Sequence, residues 1–257
     1  MDLGIENRVA LVAGSSRGIG KSIAAELLKE GCRTCITGRD TASLEQTRLE
    51  FQDLFPPERI MAFAGDLTDA AVSAQAFGEI GNRWGAVDIL VANLGSGRGQ
   101  PGWDLDEEEW ERLFRVNLLG GVRLARSAIR AMETRGGAIV FIASITAVEA
   151  TAAPLPYSAA KAALVSYAKN LSRLVAGKAI RVNCVAPGNI LFPGGSWERH
   201  LAQRADEVER FISSEVPLKR FGVPEEIAGL VAFLCSDRAA FITGSCFIAD
   251  GGQTRRY

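Results

Sequence analysis

The 257-residue sequence predicts an α/β fold in which one seven-stranded parallel sheet is covered by helices on both faces. The first observation is that short apolar runs alternate with segments of helical periodicity along the whole chain. The second is that runs such as Val9-Ala10-Leu11-Val12-Ala13 are continuously apolar, which is typical of strands buried on both faces. The third is that the sequence contains no repeat, low-complexity segment or linker, which predicts a single domain over residues 1–257.

The elements follow from these patterns in chain order. The strand Val9 to Ala13 runs into a glycine-rich turn and then into a helix that carries Ile23 and Leu27 inward and ends at Gly31. Further strands are expected near residues 33–37, 60–64, 87–91, 138–143, 180–185 and 246–249. Further helices are expected at about 41–54, 69–83, 107–133, 156–176 and 224–235.

Two stretches, 95–106 and 189–214, do not fit the alternation. The first is rich in glycine, and the second begins with Pro193-Gly194-Gly195 and continues as a charged helical segment. Both follow strands, and ligands of such folds lie outside the carboxyl ends of the strands. The two stretches are therefore expected to cover a substrate site.

Composition and charge exclude several classes of function. Hydrophobic residues make up 47% of the chain and the formal net charge is -1, so no overall field recruits nucleic acid or an anionic membrane. No uncharged apolar run reaches membrane-spanning length and no signal pattern opens the chain, so a cytoplasmic protein without membrane or nucleic-acid partners is expected. Cys32 and Cys35 form a C-x-x-C pair, but the other cysteines and the single His200 supply no second ligand pair, so no metal site is expected.

Tyr157 and Lys161 lie four residues apart on a predicted helix that is entered through Pro154 and Pro156. An ammonium beside a phenol favours the phenolate, so the sequence predicts a pKa of Tyr157 lowered from roughly 10 toward neutrality. Such a tyrosine would serve as a general acid or base. The pair alone is a weak signal, because an amphipathic helix can carry both residues by chance.

The segment Gly14-Ser15-Ser16-Arg17-Gly18 allows two interpretations. It fits the G-x-S-x-G nucleophile elbow of hydrolases, but His200 lies in a charged stretch without an evident partner, and an elbow on the first strand is badly placed. Alternatively, glycines 14, 18 and 20 let the backbone approach a pyrophosphate at a helix N-terminus. The spacing is G-x-x-x-G-x-G, and glycine-rich turns also occur for purely structural reasons.

Taken together, the motifs resemble those of the short-chain dehydrogenases/reductases, over essentially the whole chain. Asn117, Ser144, Tyr157 and Lys161 match the catalytic tetrad of that family in order and approximate spacing. The other matching stretches are Ala13-Gly14 to Gly20 (TGxxxGxG, with Ala13 for Thr), Val91 to Gly95 (NNAG, with two changes), Pro187-Gly188, and the run from Val216 to Arg220 through Ala249 to Gly252, which resembles 3-oxoacyl-carrier-protein reductases.

The resemblance implies a doubly wound Rossmann-type domain that transfers a hydride between NADP(H), or NAD(H), and a small-molecule carbonyl or alcohol. It implies that Tyr157 donates the proton, Lys161 lowers its pKa and binds the ribose, Ser144 polarises the carbonyl, and Asn117 supports a water relay. The cofactor-binding residues implied are Gly14, Ser16, Arg17, Gly18, Ile19, Gly20, Arg39, Asp66, Leu67, Asn93, Gly95, Tyr157, Lys161, Pro187, Gly188 and Ile190.

Several of these roles have structural alternatives. Asp66 would contact the adenine amino group with Leu67 beside the ring, but Asp66 or Thr68 would equally cap the following helix. Ile190 would meet the nicotinamide carboxamide. Leu94 stands where relatives carry a small alanine, which predicts a tighter nicotinamide edge. After Pro187-Gly188, the chain lacks the threonine with which relatives often touch the cofactor.

The end of the second strand predicts the choice of cofactor. NAD enzymes of this fold place an acidic residue there to bind the ribose 2′-hydroxyl, but this chain has Gly38 followed by Arg39. Arg39 and Arg17 would instead bind a 2′-phosphate, so NADPH is expected over NADH. Asp40 would either bind the ribose or cap the helix beginning near Thr41.

Reduction of a carbonyl to a secondary alcohol is the expected reaction. The alternatives are a catabolic dehydrogenase that oxidises a secondary alcohol, and a catalytically silent NADP-binding sensor or scaffold. The alanine-rich face of the Tyr157 helix and the apolar segment from Phe241 to Ile248 resemble the surfaces on which relatives assemble, so a homotetramer with D₂ symmetry is expected.

Overall fold

Seven parallel strands form one sheet, in the order β3-β2-β1-β4-β5-β6-β7, in the computed structural model, which describes residues 2–255. The strands are β1 (Val9–Ala13), β2 (Arg33–Gly38), β3 (Ile60–Ala64), β4 (Ile89–Ala92), β5 (Gly137–Ile142), β6 (Ile180–Pro187) and β7 (Cys246–Ala249). All residues of β1 and β4 are buried, as their apolar runs predict. The seven-stranded parallel sheet expected from the sequence is confirmed.

Helices cover both faces of this sheet, and the sheet separates two hydrophobic cores. The helices are α1 (Gly18–Lys29), α2 (Thr41–Gln52), α3 (Ala70–Trp84), α4 (Glu107–Phe114), α5 (Gly120–Met132), α6 (Leu155–Val175), α7 (Ser196–Glu215) and α8 (Pro224–Cys235). One core lies between the sheet and α1, α2 and α8, and the other lies between the sheet and α3, α5 and α6. Side chains alternate between the cores along β1, where Leu11 faces one and Val12 faces the other.

The strand order reverses at β1, which lies between β2 and β4. Leu11 pairs with Cys35 of β2 on one side and with Leu90 of β4 on the other. The helix after β1 packs on one face, while the helices after β4 pack on the opposite face. The connections therefore diverge and leave a crevice beyond the carboxyl ends of these strands, where ligands of doubly wound sheets bind.

The helix expected over 107–133 is interrupted in the structure. A π-helical segment, Arg115–Leu119, separates α4 from α5. Within it, Asn117 is buried and its Nδ2 donates to the carbonyl oxygen of Leu113, four residues earlier, at 3.0 Å. A side chain that bonds to the backbone in this way competes with the regular ladder, and π-bulges occur frequently at functional sites.

The stretch 189–214 contains most of α7, and this helix carries a small core of its own. Val208, Ile212 and Val216 are buried against Trp197, Leu201 and Phe221. The ring of Trp197 stacks on Phe211 with centroids 5.7 Å apart. The helix is kinked at Arg204, where φ is −155° and ψ is 58°. The other irregular stretch, 95–106, contains no helix or strand in the structure.

The cysteines behave as small buried hydrophobes, as the sequence predicts. Cys32 and Cys35 are fully buried, and burial raises the pKa of each thiol to about 12. Across residues 2–255, no cluster of His, Cys, Asp or Glu has the arrangement of a metal site. Among the helices of the same residues, none is long and apolar enough to cross a membrane.

Candidate active site

The glycine-rich turn is fixed by hydrogen bonds from the neighbouring strands. The backbone N–H of Gly14 donates to Oγ1 of Thr37 in β2 at 3.1 Å, and Nδ2 of Asn93, just after β4, donates to the carbonyl oxygen of Gly14 at 2.9 Å. Gly14 and Gly18 have φ values of +66° and +56°, which favour glycine. A Cβ atom at Gly20 would lie 2.2 Å from the carbonyl oxygen of Gly14, so this position also requires glycine.

The turn leaves the N-terminus of α1 open to an anion. Arg17, the N-cap residue of α1, makes no side-chain capping bond, and the first turn contains no acidic residue. By contrast, α2 is capped by Asp40 and α3 by Asp69, whose side chains accept backbone N–H bonds. The 12-residue helix α1 therefore presents N–H groups and the positive end of its dipole at the crevice, which fits a pyrophosphate. Ile19 is half-buried behind this turn.

The carboxyl end of β2 faces the same turn. A Cβ atom at Gly38 would lie 3.1 Å from Cβ of Ser16, so the glycine also makes room for that side chain. Asp40 accepts a hydrogen bond from the backbone N–H of Ser43, which confirms its capping role. The hydroxyl of Ser43 also donates to this carboxylate, and these bonds, the hydroxyl's first, hold the pKa of Asp40 below the usual value. Arg39 is exposed, and its guanidinium makes no hydrogen bond or ion pair with residues 2–255.

The end of β3 differs in detail from the sequence prediction. Asp66 and Thr68 do not cap α3, because Asp69 occupies the N-cap position. Oδ1 of Asp66 instead accepts bonds from the N–H and the hydroxyl of Thr68, at 3.0 and 2.8 Å. Leu67 is only 1% exposed and belongs to the core, so its side chain packs inward instead of lying against a ring in the crevice.

Tyr157, Ser144 and Lys161 are brought together where β5 ends and α6 begins. Ser144 follows β5, its Oγ accepts a bond from the N–H of Thr146 at 3.3 Å, and its hydroxyl lies near enough to the phenol of Tyr157 to influence its pKa. Lys161 lies one turn further along α6, with Nζ 6.0 Å from the centre of the Tyr157 ring. Nζ donates to the carbonyl oxygen of Ile142 at 2.8 Å, which anchors the ammonium at the sheet edge.

Burial changes the pKa of both titratable groups. It raises the pKa of the Tyr157 phenol above its usual value, and the hydrogen bond from Ser144 only partly opposes this. Burial lowers the pKa of Lys161 from 10.5 to about 8. The predicted lowering of the Tyr157 pKa by Lys161 is therefore wrong for this structure, because desolvation of the phenolate dominates.

Asn117 holds the loop after β4 close to the side chains of Tyr157 and Lys161. Its Oδ1 accepts from the N–H of Ser96 at 2.9 Å, and its Nδ2 donates to the Ser96 carbonyl oxygen at 3.1 Å. A Cβ atom at Gly95 would lie 3.1 Å from Nζ of Lys161, and one at Gly97 would lie 4.0 Å from Cζ of Tyr157. The glycines therefore let the loop run close to the lysine and the tyrosine.

Leu94 does not narrow the crevice in the expected way. Its Cδ1 would lie 3.0 Å from a Cβ atom at Gly120, at the start of α5, and its side chain packs against the core. Its carbonyl oxygen faces the site instead, where it accepts a 3.5 Å bond from Lys161.

The segment after β6 closes the other side of the crevice. Pro187 is the last residue of β6, and Gly188 packs against Asp250, where a Cβ atom would lie 2.7 Å from Cβ of Asp250. Ile190 is buried and forms a β-bridge with Gly222. Its side chain therefore faces the core, and any contact with a ligand in the crevice would come from its backbone.

Sequence reasoning missed the residues that position the site through the backbone. Ser15 and Thr37 lock the glycine turn, since the N–H of Thr37 donates to Oγ of Ser15 at 2.8 Å and Oγ of Ser15 donates to the Val12 carbonyl oxygen. Ser96 is bound by Asn117 through its peptide groups only. The sequence did contain a pattern that indicates a role for Thr37, a hydroxyl residue at the end of an apolar strand. No sequence pattern indicated the role of Ser96.

Comparison with known proteins places the chain in a family. A family model described as enoyl-(acyl carrier protein) reductase matches residues 13–254. The 3-oxoacyl-[acyl-carrier-protein] reductase of Aquifex aeolicus is 33% identical over 98% of this chain and 100% of that protein.

Solved structures extend the comparison. The L-sorbose reductase of Gluconobacter frateurii, in a complex with NADPH and L-sorbose, superposes with a TM-score of 0.89 at 34% identity over 100% of both chains. YwfH, an NADPH-dependent reductase of bacilysin biosynthesis, superposes with a TM-score of 0.92 at 29% identity over 98% of this chain and 100% of that one. With the tetrad and the glycine turn in place, this chain belongs to the short-chain dehydrogenases/reductases and is an NAD(P)-dependent oxidoreductase acting between CH–OH and C=O.

Proposed function

We propose that the protein is an NADPH-dependent ketoreductase that reduces a small-molecule carbonyl to a secondary alcohol, with Tyr157 as the proton donor. The observation that carries the proposal is the placement of Tyr157 beside Ser144 with Lys161 one helical turn behind it, where desolvation raises the pKa of the phenol. A proton donor must hold its proton until the transition state, and the raised pKa of Tyr157 meets that requirement.

The residues at the crevice fit a nicotinamide cofactor. The uncapped N-terminus of α1 would hold the pyrophosphate, and Arg39, exposed and unpaired within residues 2–255, would bind a 2′-phosphate. NADPH is bound in the L-sorbose reductase complex, and YwfH is an NADPH-dependent reductase. When bound, the nicotinamide supplies the hydride for the carbonyl carbon.

The chain's own residues would perform the proton chemistry. Ser144 and Tyr157 would hydrogen-bond the carbonyl oxygen, and Tyr157 would donate its proton to that oxygen as charge develops on it. The Lys161 ammonium would then stabilise the phenolate and relay a proton from water. The amide of Asn117 is engaged by Ser96 and Leu113, so its backbone carbonyl is the group left to hold that water.

The opposite direction is disfavoured at neutral pH. Oxidation of an alcohol would require Tyr157 as the phenolate, and burial raises the pKa of this phenol. A silent NADP-binding sensor would not need Ser144, Tyr157 and Lys161 gathered at one point of the crevice. Reduction therefore remains the better interpretation of the geometry.

The experiment compares wild type with Tyr157→Phe, using NADPH oxidation against a panel of ketones and aldehydes. The variant keeps the ring but loses the proton donor, so NADPH should still bind while turnover falls by about 10²–10⁴-fold. Wild-type turnover in the variant would refute the mechanism. Binding of NADPH without turnover on any carbonyl would favour the sensor.

A further inference from the structure

An ion pair at the start of α4 is more deeply buried than its position on a charged helix end suggests. Glu109 is only 7% exposed, whereas Glu107 and Glu108 of the same turn are exposed. Its carboxylate accepts two bonds from the Arg112 guanidinium, from Nε to Oε2 at 2.8 Å and from Nη2 to Oε1 at 2.9 Å. Two parallel bonds of this kind fix the orientation of both side chains.

Each member of the pair also binds a peptide group of the loop after β4. Oε1 of Glu109 accepts from the N–H of Gln100 at 2.9 Å, and Nη2 of Arg112 donates to the carbonyl oxygen of Arg98 at 2.8 Å. A buried carboxylate is costly unless all its bonds are made, so the pair and the loop form one network. Removing either side chain therefore releases residues 98–100.

Gly99, between the two bound peptide groups, packs tightly against the start of α6. A Cβ atom at Gly99 would lie 2.8 Å from Cβ of Pro154 and 2.9 Å from Cδ1 of Leu113. Pro154 is the N-cap residue of α6, three positions before Tyr157. The ion pair thus holds the loop against the end of the helix that carries the proposed proton donor.

The loop is therefore held at two points that have different neighbours. Asn117 binds Ser96, in the part of the loop that lies beside Lys161 and Tyr157. The ion pair of α4 instead binds residues 98–100, which continue from that part toward the start of α6. The first point serves the reacting side chains, and the second shapes the adjoining side of the crevice.

We propose that Glu109 and Arg112 are positioning residues that hold residues 98–100 as one side of the substrate site and thereby set the affinity for the carbonyl substrate. The inference rests on the proposed reductase function. Loss of the pair frees residues 98–100, while Asn117 still holds the part of the loop beside Tyr157. Substrate binding therefore weakens much more than the chemical step slows, and NADPH binding is unchanged.

Steady-state kinetics with a ketone that the wild type reduces test the proposal on Glu109→Ala, Arg112→Ala and the double variant. Each should raise KM by about 10-fold, as expected when hydrogen bonds to a charged group are lost, with kcat within about threefold of wild type. The double variant should be no worse than either single one, because the two side chains act as a unit. Glu109→Gln keeps an acceptor for the Gln100 N–H and should recover part of the loss.

Glu108→Ala is the matched control, since it removes an exposed carboxylate from the same turn and should leave KM unchanged. The Kd of NADPH, measured by fluorescence titration, should be the same in all variants. Thermal unfolding verifies that each is folded. Unchanged KM in Glu109→Ala overturns the proposal, and so does a fall in kcat at constant KM, because the pair would then support the chemical step.

Amide hydrogen exchange tests the positioning role without turnover. Exchange of the Gln100 N–H should be at least about 10-fold faster in Glu109→Ala and unchanged in Glu108→Ala. Unchanged exchange in Glu109→Ala would show that the carboxylate does not hold the loop. Wild-type protein that reduces no carbonyl would refute the proposed function and the effect on KM together, and exchange at Gln100 would then decide the positioning role by itself.

Discussion

Asn117 and Ser96 exchange two hydrogen bonds, from the Ser96 N–H to Oδ1 at 2.9 Å and from Nδ2 to the Ser96 carbonyl oxygen at 3.1 Å. The pair joins the π-helical interruption between α4 and α5 to the loop that follows β4. Gly95 and Gly97 of this loop lie against Lys161 and Tyr157. The two hydrogen bonds between Asn117 and Ser96 therefore hold the loop in place beside these side chains.

Asn117→Ala is expected to loosen this loop and to destabilise the fold. The substitution leaves the partly buried peptide groups of Ser96 without their partners, so the free energy of unfolding should fall by about 1–3 kcal/mol. Urea denaturation measures the loss, and kcat should fall with it. Ser96→Ala is the matched control, since Asn117 binds only the backbone of Ser96; a comparable loss in that variant would contradict the argument.

Lys161→Met is expected to stabilise the fold while abolishing turnover. Lys161 is 3% exposed and its pKa falls from 10.5 to about 8, so the folded state gives up its proton before the unfolded state does. The charged form therefore destabilises the fold at low pH, and the penalty fades as pH rises through the window between these two values. At about pH 7 the variant should gain about 1–3 kcal/mol in free energy of unfolding.

The pH dependence of that gain separates burial of charge from a general packing effect. It should shrink as the pH is raised from about 8 to about 10, when wild-type Lys161 becomes neutral in the folded state. Lys169→Met on the exposed face of the same helix is the control and should change little at any pH. A variant at residue 161 that is less stable than wild type at neutral pH would refute the prediction.

Gly38→Asp with Arg39→Ile is expected to reverse the cofactor preference. The wild type should prefer NADPH by roughly 2–4 kcal/mol if Arg39 and Arg17 both bind the 2′-phosphate and desolvation offsets part of the two contacts. The ratio of kcat/KM for the two cofactors measures this preference. Arg33→Ile, at the opposite end of β2, is the control; equal kcat/KM for both cofactors in the wild type would show that Arg39 does not read the phosphate.

A homotetramer with D₂ symmetry stays a prediction of this structure. Phe241 is fully exposed, and Ile248 at the edge strand β7 is 38% exposed, so the surface predicted for assembly carries unburied apolar side chains. Light scattering at micromolar concentration should give the mass of four chains, and Phe241→Asp should lower it. Leu54→Asp, at an exposed site beyond α2, should not; a monomeric wild type would be the contrary result.

The sheet could be predicted because its strands are continuously apolar, and that pattern reports burial on both faces directly. The closeness of Tyr157 and Lys161 could be predicted because residues four apart lie on the same face of a helix. Ser144 and Asn117 could be named because their order along the chain matches the motifs of the family. The interruption at Asn117 could not, since it arises from a side chain that competes with its own helix backbone. The cap of α3 was misplaced by a few residues because Asp66, Thr68 and Asp69 all have suitable side chains.

The direction in which the pKa of Tyr157 shifts depends on distant parts of the chain, and so does the hydrogen-bond partner of Arg17. Burial of the phenol results from packing of the loop after β4 on α6, which no local pattern encodes. The carbonyl oxygen bound by Arg17 belongs to Gly194, 177 residues away in sequence. The topology of the fold determines which distant residues come into contact. A sequence motif identifies the type of residue at a position, but it does not identify the residue to which that side chain bonds.

The helix α7 has a small hydrophobic cluster that is separate from the two cores on the faces of the sheet. Trp197 stacks on Phe211 and packs against Phe221, and Val208, Ile212 and Val216 complete a cluster that is distinct from the cores on both faces of the sheet. Substitutions at Val208 or Ile212 are therefore expected to change the packing of α7 without removing a side chain from either core of the sheet.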